Sequence, residues 1–246
     1  MDYGGRASPV LIQIRTVEET GSTNADLLTA ACAGAPEGTW LRAERQSQGR
    51  GRTGRGWQSP RGNLYASTIV HVHPGEPTPA TLALVTAVAL HETAAAWAGT
   101  EARRLSIKWP NDLLANGIKL AGVLLEREGD AVVIGLGVNL AEAPSLPDRA
   151  TIALSALGAA PDPAAFLEDL TQSLARWIAR WRGEGLAPIR AAWLAAAHPI
   201  GTALQAALGD EKIEGLFEGL DAEGALRLRR ADGAIVTIHA GDVFLA

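Results

Sequence analysis

The sequence contains a single cysteine, Cys32, among its 246 residues. One thiol cannot form an intrachain disulfide, and it leaves no cysteine cluster that could hold zinc. Its neighbours Ala30, Ala31 and Ala33 predict a buried thiol on a helix rather than a nucleophile.

Long apolar runs are also lacking. The first ten residues, MDYGGRASPV, have neither the basic flank nor the apolar stretch of a signal peptide. The most apolar segment, residues 80–90, is too short to span a bilayer, which takes about 20 residues. We therefore expect a cytoplasmic protein that is not inserted in a membrane.

An excess of positive charge is lacking as well. The chain has 22 Lys and Arg against 27 Asp and Glu, for a formal net charge of −5. This balance argues against general nucleic-acid binding through a basic surface. The length is sufficient for one large domain or two unequal ones with a sizeable core.

One stretch, residues 45–62, is basic against this acidic background. It holds five arginines, five glycines and no acidic residue. Glycine lets backbone N–H groups approach a ligand, and each arginine offers a planar fork of donors to phosphate or carboxylate. A disordered nucleic-acid-binding tract or a solvated loop would have a similar composition. The loop runs into the β-rich segment NLYASTIVHV, however, which favours an anion-binding loop inside a folded domain.

Elements of mixed type surround this loop. Residues 10–14 predict a short strand, and the polar run EETGSTN predicts a turn before a helix that ends at Gly34. Ser22, Thr23 and Asn24 either cap that helix or hold a polar headgroup. Further predicted elements are a strand at residues 40–43, a buried helix after Pro79, a connection with one short helix at residues 143–163, and helices at 166–181 and 186–197.

A second informative region is LSIKWPNDLLANGIKLAGVLLE, residues 105–126. Pro110 breaks the first strand, and Asn116 with Gly117 predicts a hairpin. Lys108 and Lys119 lie among apolar strand residues. A lysine that faces inward needs an anion, whereas most lysines point to water, so both orientations remain open.

The segment VVIGLGVNL, residues 132–140, predicts a buried strand. Gly135 and Gly137 leave one face without side chains, so a flat ligand or another backbone can approach closely. No third glycine opens a helix after them, so they are weak evidence of a dinucleotide fold.

From Gly201 the pattern changes to short alternating strands joined by Asp and Gly turns. Four or five such strands in about 46 residues predict a small SH3-like β-barrel. The predicted division is a domain at residues 10–198 and a second at residues 199–246.

Five motifs occur together in one order: GSTN at 21–24, GRGRTGRGWQSPRGNLY at 49–65, KWPNDLL at 108–114, KLAGVLLE at 119–126 and GLGVNL at 135–140. In these motifs the chain resembles the biotin protein ligases. The resemblance implies an α/β catalytic domain with a mixed sheet, like class II aminoacyl-tRNA synthetases, followed by the SH3-like domain. It also implies that biotin and Mg-ATP form biotinyl-5′-AMP, which then biotinylates a lysine of the biotin carboxyl carrier protein.

The resemblance also implies roles for single residues. Arg52 and Lys119 would be catalytic, Asp112 would lie near the nucleotide or its Mg²⁺, and no side chain is assigned as a certain metal ligand. Nucleotide contacts would come from Trp57, Asp112 and Asn139. Biotin contacts would come from Ser22, Thr23, Asn24, Gln46, Arg50, Gly51, Arg52 and Lys119.

Two other functions are compatible with parts of this pattern. Lipoate-protein ligases share the fold and the adenylation chemistry, but their loop resembles RRxxGGGxVxHD, which this sequence lacks. A non-catalytic nucleic-acid adaptor is opposed by the acidic net charge. The nine residues before the first predicted strand cannot form a helix-turn-helix domain, so we expect a ligase without a DNA partner, as a monomer or homodimer.

Overall fold

The structure, a computed structural model, describes residues 12–146, 150–208 and 211–245. Its centre is a mixed seven-stranded sheet, whose strands are β1 Gln13–Thr20, β2 Thr39–Gln46, β3 Leu64–His71, β4 Leu105–Lys108, β5 Asp112–Ala115, β6 Ile118–Glu128 and β7 Ala131–Val138. Their order across the sheet is β1-β2-β3-β7-β6-β5-β4. The pair β1 and β2 is parallel, and the other neighbours are antiparallel.

Helices cover both faces of this sheet. They are α1 Thr23–Cys32, α2 Leu82–Ala98, α3 Pro163–Glu184 and α4 Ala187–Ala196. On one face α1 packs through Leu27 against Ile69 and Val133, and on the other face α2 lies in the main core. Because side chains alternate along β7, Gly135 and Gly137 lie on the face that carries α1.

The predicted buried helix after Pro79 is confirmed as α2, and the helix continues well beyond the apolar run at residues 80–90 that was expected to be too short to span a bilayer. With its flanking 3₁₀ turns, the helical stretch Pro79–Arg104 has 26 residues, and an 18-residue window within it has a mean hydropathy of 1.3; by length and composition alone it could cross a membrane. In this fold 67% of that segment's apolar window is buried among other elements. Its hydrophobicity is therefore explained by its place in the core.

The first predicted strand is wrong in its bounds. Residues 10 and 11 lie outside the described chain, and β1 continues to Thr20 through residues that were predicted to form a turn. Side chains of β1 are mostly exposed because it is the edge strand. The strand has no apolar face, and it is formed by its parallel pairing with β2, from Gln13↔Thr39 to Thr20↔Gln46.

The prediction that Cys32 is buried is also wrong. The helix α1 ends at Cys32, and the thiol is exposed. Within α1 the buried residues are Thr23, Asn24 and Leu27, so the face that carries Cys32 is turned away from the sheet.

The predicted hairpin in the second motif region is confirmed. Strands β5 and β6 pair antiparallel across Asn116 (φ 52°) and Gly117 (φ 76°). Both turn residues have the positive φ that a two-residue hairpin turn requires. The connection predicted at residues 143–163 contains a 3₁₀ turn, Leu154–Leu157, and its residues 147–149 lie outside the described chain.

The C-terminal segment forms five antiparallel strands in the order β11-β10-β9-β8-β12. The predicted fold class, a mixed α/β domain with a small β-domain behind it, is confirmed; the predicted turn at Gly209 and Asp210 lies outside the described residues. Phe217 contacts Trp193 of α4 edge to face, so the two sheets share one core. The strands are β8 Ala203–Leu208, β9 Glu211–Leu220, β10 Leu226–Arg229, β11 Ile235–Ile238 and β12 Asp242–Leu245.

Candidate active site

A single cavity of about 500 Å³ brings all of the predicted site residues together. It lies between the α1 face of the sheet, the arginine-rich loop and β12 of the C-terminal domain. The predicted residues in its lining are Ser22, Thr23, Asn24, Gln46, Arg50, Gly51, Arg52, Trp57, Asp112, Lys119 and Asn139.

One end of the cavity is a network of hydrogen bonds at the start of α1. The backbone N–H of Thr23 donates to Gln46 Oε1 at 2.8 Å, and the hydroxyls of Thr23 and Ser67 are 2.7 Å apart. Ser22 occupies the N-cap position, but its side chain makes no capping hydrogen bond. These polar residues therefore face the cavity network and do not simply cap the helix.

The side chain of Asn24 is fixed from both sides in this network. Its Oδ1 accepts from Ser67 Oγ at 2.6 Å, and its Nδ2 donates to Glu126 Oε2 at 2.8 Å. It lies directly over Gly135, where a Cβ would stand only 2.1 Å from Asn24 Oδ1. The glycine predicted to admit a ligand or a backbone instead admits this amide. We call Thr23, Asn24, Gln46, Ser67 and Glu126 the polar end.

The arginine-rich loop closes over the sheet through Trp57. A Cβ at Gly137 would lie 2.5 Å from the indole of Trp57, so the second glycine of the pair makes room for this ring. Lys119 Nζ lies 5.6 Å from the centroid of the same ring, within the range of a cation–π contact. The ring nitrogen is buried and has no hydrogen-bond partner among the described residues.

The other end of the cavity is cationic, and Asp112 is its centre. Lys119 Nζ lies 2.5 Å from one carboxylate oxygen of Asp112, and Lys108 Nζ lies 2.9 Å from the other. Burial alone would raise the pKa of Asp112, but the two ammonium groups outweigh it and hold that pKa below its usual value. Both lysines thus face an anion inside the site, and Asp112 stays ionised between them.

The loop arginines extend the cationic end toward the C-terminal domain. Arg52 donates to Asn111 Oδ1 at 3.2 Å and to the carbonyl oxygen of Gly241 at 2.8 Å. Asp242 lies 3.7 Å from Arg52 and 2.7 Å from Arg55. We call Lys108, Lys119, Arg52, Arg55, Asp112 and Asp242 the cationic end.

Several residues that line the cavity, or that hold a lining residue in place, were not predicted from the sequence. Ser67 and Glu126 lie on β3 and β6 inside recognised segments, and their spacing along those strands gave no reason to single them out. Asp242 and Phe244 lie on β12 in the other domain, where Phe244 is 5.9 Å from Lys108 Nζ. β12 belongs to the predicted C-terminal strands, but no local pattern places it at the cavity, because its contacts there join residues far apart in the chain.

Asn139 lies at the end of β7 with an open acceptor. Its Nδ2 donates to the carbonyl oxygen of Ile152 at 3.2 Å, while its buried Oδ1 has no partner within the described part of the chain. An unpaired buried amide oxygen is costly unless a ligand donor reaches it. The described residues contain no group of three His, Cys, Asp or Glu that could hold a metal ion.

Two family models match the chain. The biotin/lipoate A/B protein ligase family matches residues 20–139, and the biotin protein ligase C terminal domain matches residues 200–246. Both segments contribute residues to the cavity.

Named relatives and solved structures agree with these matches. The chain is 43% identical to a biotin–[acetyl-CoA-carboxylase] ligase of Paracoccus denitrificans over 92% of this chain and 97% of that protein. It is 37% identical to the ligase of the same name from Mycobacterium tuberculosis, over 94% and 88%. Among solved structures, a biotin protein ligase from Aquifex aeolicus in complex with biotin and ATP has a TM-score of 0.82 at 25% identity, covering 95% of this chain and 99% of that one.

Proposed function

This chain belongs to the biotin protein ligase family, and from that premise we propose that it attaches biotin to a lysine of a biotin carboxyl carrier protein, by way of biotinyl-5′-AMP. The observation that carries the proposal is the cavity itself, which has an end lined by hydroxyl and amide groups and a cationic end. Biotin has the matching pair of groups, a ureido ring and a carboxylate.

The polar end suits the ureido ring of biotin. A ureido group has two N–H donors and one carbonyl acceptor, all neutral, so it exchanges hydrogen bonds with hydroxyls and amides without bringing charge into a buried site. Thr23, Asn24 and Gln46 supply such groups, and Ser22 lines the same region. Ser67 and Glu126 hold the Asn24 side chain in one orientation, so the hydrogen bonds that it can still make point in fixed directions.

The same end disfavours lipoate. A dithiolane ring offers only sulfur atoms, which are weak acceptors and not donors, so a lipoyl group would leave the remaining hydrogen-bonding capacity of this network unpaired. Buried polar groups that lose their partners cost about 1–3 kcal/mol each. The loop arginines likewise oppose a nucleic-acid adaptor, since Arg52 and Arg55 point into the cavity toward Asp242.

The cationic end suits the adenylation step. The biotin carboxylate attacks the α-phosphorus of ATP, a new oxygen–phosphorus bond forms, and pyrophosphate leaves. Catalysis of such a displacement rests on positioning and on positive charge around the transferring oxygens. Lys119 and Arg52 are the groups we assign to that charge, with Arg50 and Gly51 of the same loop closing over the biotin carboxylate.

The nucleotide has its own proposed contacts. The open Oδ1 of Asn139 can accept a hydrogen bond from the exocyclic amine of adenine, and Trp57 can pack on the adenylate. Asp112 is already paired with two lysines, so we assign it to orienting them. Mg²⁺ then enters with ATP, held mainly by the phosphate oxygens.

The second step needs no protein nucleophile. Biotinyl-5′-AMP is a mixed anhydride. The amine of the carrier lysine attacks its carbonyl carbon, and AMP leaves. The exposed Cys32 has no part in it. We further propose a cytoplasmic enzyme that acts as a monomer or homodimer, without a DNA partner, divided into domains at residues 10–198 and 199–246.

Pyrophosphate release from ATP tests the proposal directly. The purified protein is given Mg-ATP with either biotin or lipoate, and no carrier protein. We expect release with biotin, and transfer of biotin to an added carrier domain in a second reaction. Release with lipoate alone would replace this function by the lipoate alternative, and release with neither would contradict both.

A further inference from the structure

The C-terminal domain places a carboxylate beside the arginines of the catalytic loop. Asp242 is the first residue of β12, and its two oxygens lie 3.7 Å from Arg52 and 2.7 Å from Arg55. The preceding residue, Gly241, adds its carbonyl oxygen at 2.8 Å from Arg52. This strand therefore offers the loop a negatively charged partner inside the cavity.

The loop geometry depends on these contacts. Residues 50–56 form a tight turn, in which the N–H of Gly51 donates to the carbonyl oxygen of Arg55 at 2.7 Å. The side chains of Arg52 and Arg55 then point to the same carboxylate from either side of the turn. Apart from Trp57, the loop has no large apolar side chain, so charge pairing supplies much of what holds it.

A nucleotide phosphate would compete for the same guanidinium groups. Arginine pairs with carboxylate and phosphate through the same planar fork of donors, and Arg52 cannot present that fork fully to both. The position of Asp242 within the cavity lining makes it the rival of any anion bound there.

We propose that Asp242 is a positioning residue that holds the arginine loop until the phosphates of ATP or biotinyl-5′-AMP take its place. The exchange couples nucleotide binding to the contact between the C-terminal domain and the loop. The proposal rests on the proposed function for the identity of the anion, but the contact itself does not depend on it.

Limited trypsin digestion tests the contact without any catalysis. Asp242→Asn keeps the shape and removes the charge, so the protein without ligands should be cut within residues 50–55 at least threefold faster than the wild type. Asp232→Asn is the matched control, because Asp232 lies in an exposed turn of the same domain, where its Oδ1 accepts from the N–H of Ala234. A wild-type cutting rate in Asp242→Asn would overturn the proposal.

Digestion with biotin and Mg-ATP present tests the exchange. We expect wild type and Asp242→Asn to be protected equally, because the phosphates replace Asp242 in both. Loss of protection in Asp242→Asn would mean that Asp242 is needed in the closed state, which contradicts the exchange. Absence of protection in the wild type together with absence of biotin-dependent pyrophosphate release would instead mark a failure of the proposed function.

Steady-state kinetics separates positioning from a general structural effect. Removing the rival carboxylate should lower the KM for ATP by about twofold to fivefold, the range that partly exposed ion pairs support, and leave the KM for biotin unchanged. Asp242→Glu keeps the negative charge, so its trypsin cutting rate without ligands and its KM for ATP should both return toward the wild-type values. A raised KM for ATP, or equal behaviour of Asp242→Asn and Asp242→Glu, would contradict the proposal.

Discussion

The two ends of the cavity are held in place by different means. At the polar end, Asn24 is fixed by short hydrogen bonds from Ser67 and to Glu126, inside one domain and against a glycine. At the cationic end, Lys119 and Arg52 are fixed by carboxylates that lie on different strands and different domains. The polar end is therefore preorganised for one neutral group, whereas charge pairs at the cationic end can be exchanged for those of a ligand.

Replacement of Lys119 should have the largest effect, and mainly on the rate of the adenylation step. In Lys119→Gln the positive charge near the transferring phosphate is lost, while Asp112 keeps Lys108 as its partner. We expect the rate of biotin-dependent pyrophosphate release to fall by about 10²–10³-fold, comparable to the loss of one transition-state donor. Direct biotin binding, measured by calorimetry, should change much less. An equal loss in the rate of pyrophosphate release and in the affinity for biotin would contradict the distinction between the two ends.

A methyl group at Gly135 should damage the polar end alone. The added Cβ would stand 2.1 Å from Asn24 Oδ1, so the amide must leave its hydrogen bonds. We expect Gly135→Ala to raise the KM for biotin about tenfold to a hundredfold and to leave the KM for ATP near wild type. Gly183→Ala in α3 is the control, because no atom other than its chain neighbours and the backbone of its own helix lies within 4 Å of the position its Cβ would take. A wild-type KM for biotin would show that Asn24 does not contact the ligand.

Removal of the Ser67 hydroxyl should have a smaller effect of the same kind. Ser67→Ala deletes the donor to Asn24 Oδ1 and the contact with Thr23, without introducing a clash. A net hydrogen bond contributes about 0.5–1.5 kcal/mol, so the KM for biotin should rise about twofold to tenfold. Surface Ser155→Ala, whose hydroxyl bonds the carbonyl oxygen of Ala141, serves for comparison. An effect on the KM for ATP alone would contradict the assignment of Ser67 to the polar end.

The smallest predicted effect concerns His198, which borders the cationic end. Burial, and then the charge of Lys108, hold the pKa of His198 below 6.5. Below about pH 6.5 the unfolded chain binds a proton that the folded protein does not, so stability falls as pH falls, by at most about 1.4 kcal/mol per pH unit. Thermal unfolding from pH 7 to pH 5 should show a shallower slope for His198→Gln. Exposed His239→Gln is the control, and an equally steep slope in His198→Gln would contradict the prediction.

The difference between the two ends also explains what the sequence could predict. The polar end lies in motifs such as GSTN, and its members Thr23, Asn24 and Gln46 were found from small polar residues at a helix start and from family resemblance. Residues that hold those members were missed, since Ser67 and Glu126 are ordinary strand residues until the sheet brings them to Asn24.

At the cationic end, only the residues assigned to catalysis could be predicted from the sequence. Lys119 and Arg52 stand in recognisable motifs. The sequence leaves the orientation of Lys108 open, and in the structure its ammonium group faces Asp112. Asp242 follows Arg52 by 190 positions, and no local pattern connects two residues so far apart. The errors at β1 and Cys32 have the same origin, because edge position and helix orientation depend on neighbours that a local pattern does not contain.

The core shared by the two sheets has a consequence for cooperativity. Trp193 and Phe217 contact one another across the domain boundary, and Trp109 Nε1 donates to the carbonyl oxygen of Gly224 at 3.1 Å. Separating the parts would expose large aromatic surface on both, at a cost that neither could recover alone. The chain should therefore melt in one transition. Substitutions in the small domain are then limited by two requirements, its packing in the shared core and its contact with the arginine-rich loop.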